Sequence, residues 1–459
     1  MNEKKKTLTY AGVAAALLLL AFITAPRRVT PSAFNDQGQP FFADFKDPLA
    51  ATSLEVIDYD EATGSARPFK VLLKDGKWTI PSHNDYPADG KDRLAKTAAS
   101  VIDIKKDDFR SDNIADHEAC GVVDPLDETA ASLKGRGKRV TLKGGSEQVL
   151  ADFIIGKEVE GREGFRFVRV PGQKRVYAVR MNIDISTKFS DWIESDLLKV
   201  NKDDIKQVVL KDYSIDERRG LVNQRDVVIL DKKDSDWVAN KMSSSEEVDK
   251  TKINDFLTTL DGLSIVGVRV KPAGLSQNLE KLSEGVMLTQ ADVMSLQSKG
   301  YYFTPNGQLL SNEGELEALT KDGVKYTLRF GEIVYGQGEA VSAGTETSEA
   351  DIAQGPGENR YLFITTSFDP KQLPPEPKKS RNTDFLTKAD SLWTDADREN
   401  KKIHDEYEAW QKNIEKGRNL SNELNARFAK WYYVISAASF DKLHLQRRDL
   451  VKAKAAKTS

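Results

Sequence analysis

Two stretches of the sequence spell the same order of elements, and that order limits the fold more than any composition figure does. In the first, Leu54–Tyr59 alternates apolar and polar side chains as a half-buried strand does. Phe69–Leu73 follows as a second strand, Lys74-Asp75-Gly76-Lys77 as a tight turn, and Trp78-Thr79-Ile80 as a third strand. A polar loop leads to Pro87-Ala88-Asp89, a helix start, and then to Leu94, Ala98, Val101 and Ile102 at helical spacing. In the second, Ile205–Leu210 and Asp226–Leu230 are the strands, Asp231–Asp236 the turn and Trp237-Val238-Ala239 the third strand. Asp249 then stands near the start of a helix carrying Ile253, Phe256, Leu257, Leu260 and Leu263.

The correspondence continues downstream. Val140–Leu142, Val149–Ile155 and Phe165–Val170 read as strands in the first stretch, and Tyr326–Phe330 and Arg360–Ile364 in the second. The second adds a segment at 286–320 and a Gly-, Ser- and Glu-rich loop, Tyr335–Asn359, long enough to be functional or mobile. The expected class is therefore α+β: two tandem related units, each a mostly antiparallel sheet with a packed helix. The first unit is placed at 51–181, a connecting helix with Phe189, Trp192, Ile193 and Leu197 at 182–200, and the second unit at 201–369.

A Pro-rich linker, 370–382, precedes a C-terminal segment, 383–459, that reads as helical. Ile403, Tyr407, Trp410 and Ile414 mark one helix; beyond Gly417, Leu420, Leu424, Phe428, Trp431 and Ile435 mark another. The end of the chain, 442–457, sets six Lys and Arg against Asp449 alone and reads as a frayed basic tail.

At the other end, residues 1–7 carry Lys4, Lys5 and Lys6, and 8–25 are almost wholly apolar. A helix of about 18 residues rises about 27 Å, just enough for a bilayer core. Cleavage after Ala25 would set Ile23 and Pro26 at unfavourable positions, so an uncleaved signal anchor is expected. Lys4–Lys6 favour a cytoplasmic N-terminus against the weaker pull of Arg27 and Arg28. The expectation is a single-pass protein of the cytoplasmic membrane, joined by the linker 26–50 to an extracytoplasmic, periplasmic body.

The chemistry-bearing residues are few. One cysteine, Cys120, excludes an internal disulfide and a cysteine cage for zinc. The four histidines lack a motif: His117-Glu118-Ala119-Cys120 has no second His at helical spacing, and His404-Asp405 reads as a helix-surface pair. His83 falls in a polar loop and His444 in the basic tail. Gly336-Gln337-Gly338 has Val341 where a dinucleotide fingerprint needs glycine. The loop acids Glu339, Glu346, Glu349, Asp351 and Glu358 fit no EF-hand spacing and read as a mobile acidic loop. Asp75, Asp231 and Asp234 read as turn formers. With 68 Lys and Arg against 71 Asp and Glu, the near-neutral chain also lacks the charge of a nucleic-acid binder. No catalytic, cofactor-binding or metal-ligating residue is therefore expected, and the protein reads as non-enzymatic. The candidate binding surface is Trp78 and Trp237, equivalent residues in the two stretches that otherwise read as core.

Several short motifs resemble a bacterial family known as domain of unknown function 4340. They include Lys77-Trp78-Thr79-Ile80 with Pro87-Ala88-Asp89, Cys120-Gly121-Val122-Val123-Asp124-Pro125, and Phe153-Ile154-Ile155-Gly156-Lys157 before Gly164–Val170. Trp192 with Asp196-Leu197-Leu198, Ser311–Leu316 and Leu328-Arg329-Phe330-Gly331-Glu332 extend the resemblance across 50–370. The family's usual Tyr-Gly-Leu-Asp stands here as Cys120–Val123. Trp431-Tyr432-Tyr433 looks like the C-terminal helix of longer, two-copy members. These are fold motifs, so the resemblance brings no site residues. It implies an envelope protein whose genes neighbour those of an ABC-type transporter of the gliding-motility auxiliary kind, and hence permease and ATPase subunits as partners. The alternatives are an envelope module binding a glycan, peptide or lipid, and a carboxylate-dependent hydrolase.

Overall fold

Strands form where side chains alternate between an apolar and a polar face, and helices where apolar side chains recur every three or four residues. A computed structural model of the chain describes residues 3–24, 36–130, 132–183, 185–216, 219, 221–276, 288–304, 307–336, 341–344 and 358–454; the side chains of 3–6 and 8 lie outside that description. By internal contacts the chain divides into two units: Met1–Pro68 with Leu94–Ile185, and Phe69–Arg93 with Ser186–Ser459.

The first nine strands are β1 (Ser53–Asp60), β2 (Ser65–Lys74), β3 (Lys77–Ile80), β4 (Tyr86–Pro87), β5 (Asp108–Ser111), β6 (Lys138–Lys143), β7 (Val149–Glu158), β8 (Phe165–Arg169) and β9 (Val176–Arg180). Their two longer helices are α1 (Glu3–Thr24) and α2 (Lys91–Ile102). In the first unit the strands stand in the order β1-β6-β7-β8-β9-β5, each pair antiparallel. Leu54, Val56, Val140, Leu142 and Phe153 are buried there. The β2–β3 turn closes on Asp75 and Gly76, both at positive φ, which suits the twist of a two-residue hairpin.

The second unit holds β10 (Ile205–Asp216), β11 (Leu221–Lys233), β12 (Asp236–Ala239), β13 (Glu246–Val248), β14 (Gly267–Val270), β15 (Tyr301–Phe303), β16 (Leu309–Ser311), β17 (Glu315–Thr320), β18 (Val324–Val334), β19 (Asn359–Phe368), β20 (Trp431–Ile435) and β21 (Val451–Ala453). Its main helices are α3 (Lys250–Asp261), α4 (Gln290–Gln297), α5 (Asp395–Phe428) and α6 (Ala437–Leu443). Eight strands form one antiparallel sheet, β12-β11-β10-β17-β18-β19-β20-β14. Its six strands β10-β17-β18-β19-β20-β14 repeat the first unit's order β1-β6-β7-β8-β9-β5 position for position, with β14 and β5 each closing an edge after a helix. In α3, Asp249 caps two backbone N–H groups and Ile253, Phe256, Leu257 and Leu260 form the buried stripe.

The α+β class with antiparallel sheets is what the structure has, but several elements differ from the sequence reading. Trp431–Ile435 is a strand, not a helix: β20 lies fully buried between β19 and β14. A five-residue run of large apolar side chains fits both periods, and only its sheet neighbours decide. Gly417 does not interrupt a helix, because α5 runs through it for 34 residues. The missing side chain lets α5 lie against the Asp322 carbonyl and the Phe368 ring. The segment 182–200 contains a 3-10 turn, Phe189–Trp192, instead of a helix. The basic tail is not frayed up to Lys454, since β21 pairs with β13. The Pro-rich stretch rests on α5, where Trp410 Nε1 donates to the Pro374 carbonyl at 3.0 Å. Glu339, Glu346, Glu349 and Asp351, with Gln337 and Gly338, lie outside the described residues.

Residues 8–24 are helical within α1. The part of α1 whose side chains are described without a break, Thr9–Thr24, is shorter than the roughly 20 residues a bilayer core needs. Among the described residues no helix is long and apolar enough to cross a membrane.

Candidate functional site

Each histidine finds a local environment that its neighbours in sequence did not announce. His83 is buried: its Nδ1 meets Ser82 Oγ and its Nε2 meets Ser342 Oγ, both at 2.9 Å. Its ring stacks on Phe189 at 4.3 Å. Burial, aided by the Arg269 charge, pushes its pKa down to about 4, so it is neutral near pH 7. His117 is buried and donates from Nε2 to the Lys174 carbonyl at 2.8 Å. Cys120 is buried, and burial pushes its thiol up, away from reactivity. His404 pairs with Glu408 instead of Asp405. His444 stacks on Phe440 and is half-buried. Among the described residues no group of three or more His, Cys, Asp or Glu could hold a metal ion.

Trp78 and Trp237 are both half-buried. Trp78 packs on Gly90. Trp237 lines a cleft of about 540 Å³ in the second unit. Val238, Met242, Val248, Ile253 and Leu257 give that cleft an apolar floor, and Lys202, Lys232, Lys250, Asp203, Asp236 and Glu247 give it a charged rim. The rim charges partly satisfy one another, as Lys250 does with Asp236 at 2.7 Å.

A cavity of about 830 Å³ in the first unit is bordered by Val123 and Asp124 of the Cys120–Pro125 motif. Its charged groups are tied to the loop that forms it. Buried Arg169 donates to the Val122 and Gln173 carbonyls at 2.8 and 3.0 Å, and Arg139 forks onto Asp152 while reaching Asp124. These contacts fix the loop and leave little charge to offer a ligand.

The richest chemistry lies in a third cavity, of about 490 Å³, on the polar face of the second unit's sheet. Register builds it. Lys211, Glu315 and Arg329 stand directly opposite one another across β10, β17 and β18, and Glu317, Thr327 and Thr365 do so across β17, β18 and β19. Glu315 is 2% exposed, accepts from Lys211 at 2.7 Å and ion-pairs with Arg329 Nε at 3.2 Å, while that Nε donates to the Leu309 carbonyl at 3.0 Å. Glu317 accepts from Lys211 at 2.8 Å and meets Lys325 at 3.6 Å. Burial alone would raise the Glu317 carboxyl, but Lys211 and then Lys325 outweigh it and hold it below its ordinary value. Burial would lower the Lys211 ammonium, but its bonds to Glu315 and Glu317 hold it above its ordinary value. The C-terminal half of α5 forms the wall, with Asn425 bonded to both the N–H and the carbonyl of Thr366 at 2.8 Å.

Sequence alone does not single out this cluster, although Ser311–Leu316 and Leu328–Glu332 carry part of it within motifs of the resemblance. The signal was there as alternation: Glu315 and Glu317 straddle Leu316, and Lys325, Thr327 and Arg329 straddle Tyr326 and Leu328. What it lacked was the register that sets the two rows side by side. As chemistry, the pair Glu315 and Glu317 offers salt-bridged carboxylates sharing one ammonium. A depressed Glu317 makes a poor proton donor.

Residues 78–278 match a family described as "Domain of unknown function (DUF4340)". Neither curated proteins nor solved structures show a match to the chain.

Proposed function

Taking the chain as a member of the DUF4340 family, whose domain it carries over residues 78–278, we propose that it is a non-enzymatic, membrane-anchored extracytoplasmic subunit that scaffolds or assists an ABC-type transport system of the gliding-motility auxiliary kind. The observation that carries the anchor is α1. Its apolar part, residues 8–24, would rise about 26 Å, close to a hydrocarbon core of about 30 Å. Leu17, Leu18, Leu19, Leu20, Phe22 and Ile23 are all exposed on it. Water leaves such a contiguous apolar surface uncovered only at a cost of roughly 25 cal/mol per Å², and a bilayer removes that cost. The transporter partner rests on the family resemblance and on a body made of two sheet units, which suits holding other proteins. Purification from detergent-solubilised membranes through a tag on this chain tests the reading. Recovery of ATPase and permease subunits supports it, and recovery of this chain alone, under conditions that keep known transporter complexes intact, removes it.

A second reading, an envelope module binding a glycan, peptide or lipid, is favoured by one feature. Trp237 presents part of its indole to a cleft with an apolar floor and a charged rim, the mixture that amphipathic ligands require. Trp237→Ala would weaken such binding while leaving membrane attachment unchanged, and fluorescence titration of the wild-type tryptophans follows it.

A further inference from the structure

The charged cavity over β10, β17, β18 and β19 has a composition that stability alone does not call for. Three cations, Lys211, Lys325 and Arg329, face two carboxylates, Glu315 and Glu317, so one positive charge is left over. The two carboxylates are occupied: Glu315 by Lys211 and Arg329, and Glu317 by Lys211 and Lys325. Lys325 is the group held least, at 3.6 Å from its partner and 39% exposed, so it can turn toward a ligand without breaking a short bond. Around the charges stand hydroxyls and amides, Thr327, Thr365, Ser367 and Asn422. At about 490 Å³ the space is of small-molecule size.

We propose that this cavity binds a small, hydroxyl-rich monoanion of the sugar-acid class. The single negative charge answers the single unmatched cation. The hydroxyls exchange hydrogen bonds with the Thr, Ser and Asn side chains. A neutral sugar leaves the extra cation unanswered. A dianion meets Glu317. The site is separate from the Trp237 cleft and from the anchored-subunit reading, so any of the three can fail alone.

Isothermal titration of the full chain in detergent with glucuronate tests the proposal. The expected result is saturable one-to-one binding, with glucose and acetate each at least tenfold weaker, because one lacks the charge and the other the hydroxyls. Lys325→Met should weaken glucuronate at least tenfold with an unchanged urea midpoint, and Trp237→Ala should leave it unchanged. Absence of saturable glucuronate binding, glucose binding as tightly as glucuronate, or Lys325→Met binding as wild type each overturns it.

Discussion

His83 shows how much one residue owes to partners far away in sequence. Its ring nitrogens are held by Ser82 and by Ser342, 259 positions away, and its faces by Phe189 and Phe69. Because its pKa falls to about 4 in the folded chain, from 6.5, the unfolded chain binds more protons between those values. Stability from this group is therefore present above pH 6.5 and is lost as the pH falls toward 4. At about 1.36 kcal/mol per pKa unit the loss is roughly 3 kcal/mol. Urea unfolding at pH 7.5 and 4.5 should show it, and His83→Phe should flatten that part of the pH dependence; an equally steep loss in the variant contradicts the assignment. Lys271 follows the same logic at the other end of the scale. Its ammonium is buried over the Phe363 ring, donates to the Phe428 carbonyl, and is driven well below its ordinary value by burial and then by Arg329. The unfolded chain again holds the extra proton, so stability rises with pH toward 10.5, and Lys271→Met should remove that rise. Neither environment could be read from the sequence, where His83 is a polar-loop residue and Lys271 one of many lysines.

Among elements, β20 and α5 carry the sharpest lesson about legibility. The strand–turn–strand units around Trp78 and Trp237 were readable because alternation and turn residues are local signals. β20 was not: Trp431–Ile435 follows a long amphipathic helix, and its apolar run suits either state until β19 and β14 take it between them. The cavity charges were legible as residues and not as a site, since cross-strand register is a long-range property. α5 is thus an insertion between two neighbouring strands of one sheet, not part of a separate C-terminal domain. Replacing Asp395–Phe428 by a short flexible linker should leave a folded, less stable second unit, whereas deleting Trp431–Ile435 should abolish its cooperative unfolding. Circular dichroism and limited proteolysis distinguish the two, and equal tolerance of both deletions would contradict the topology. Within α5, Gly417→Ala would drive a methyl group into the Asp322 carbonyl and the Phe368 ring. The expected cost is about 1–3 kcal/mol, measured as a shift in the urea midpoint.

At the scale of the whole molecule, the two units' sheets share one strand order, and α1 exposes its apolar side chains. On the reading proposed above, α1 anchors the protein and the partner is the transporter that the family resemblance brings with it. Deleting residues 1–25 should move the protein from the membrane to the soluble fraction without changing the unfolding of its body. The most direct test of the account joins this deletion to the purification. Full-length protein drawn from detergent-solubilised membranes should bring ATPase and permease subunits in fixed ratio, and the truncated form should bring far less of both. Full-length protein that returns alone, while an intact control transporter survives the same detergent, would contradict the account.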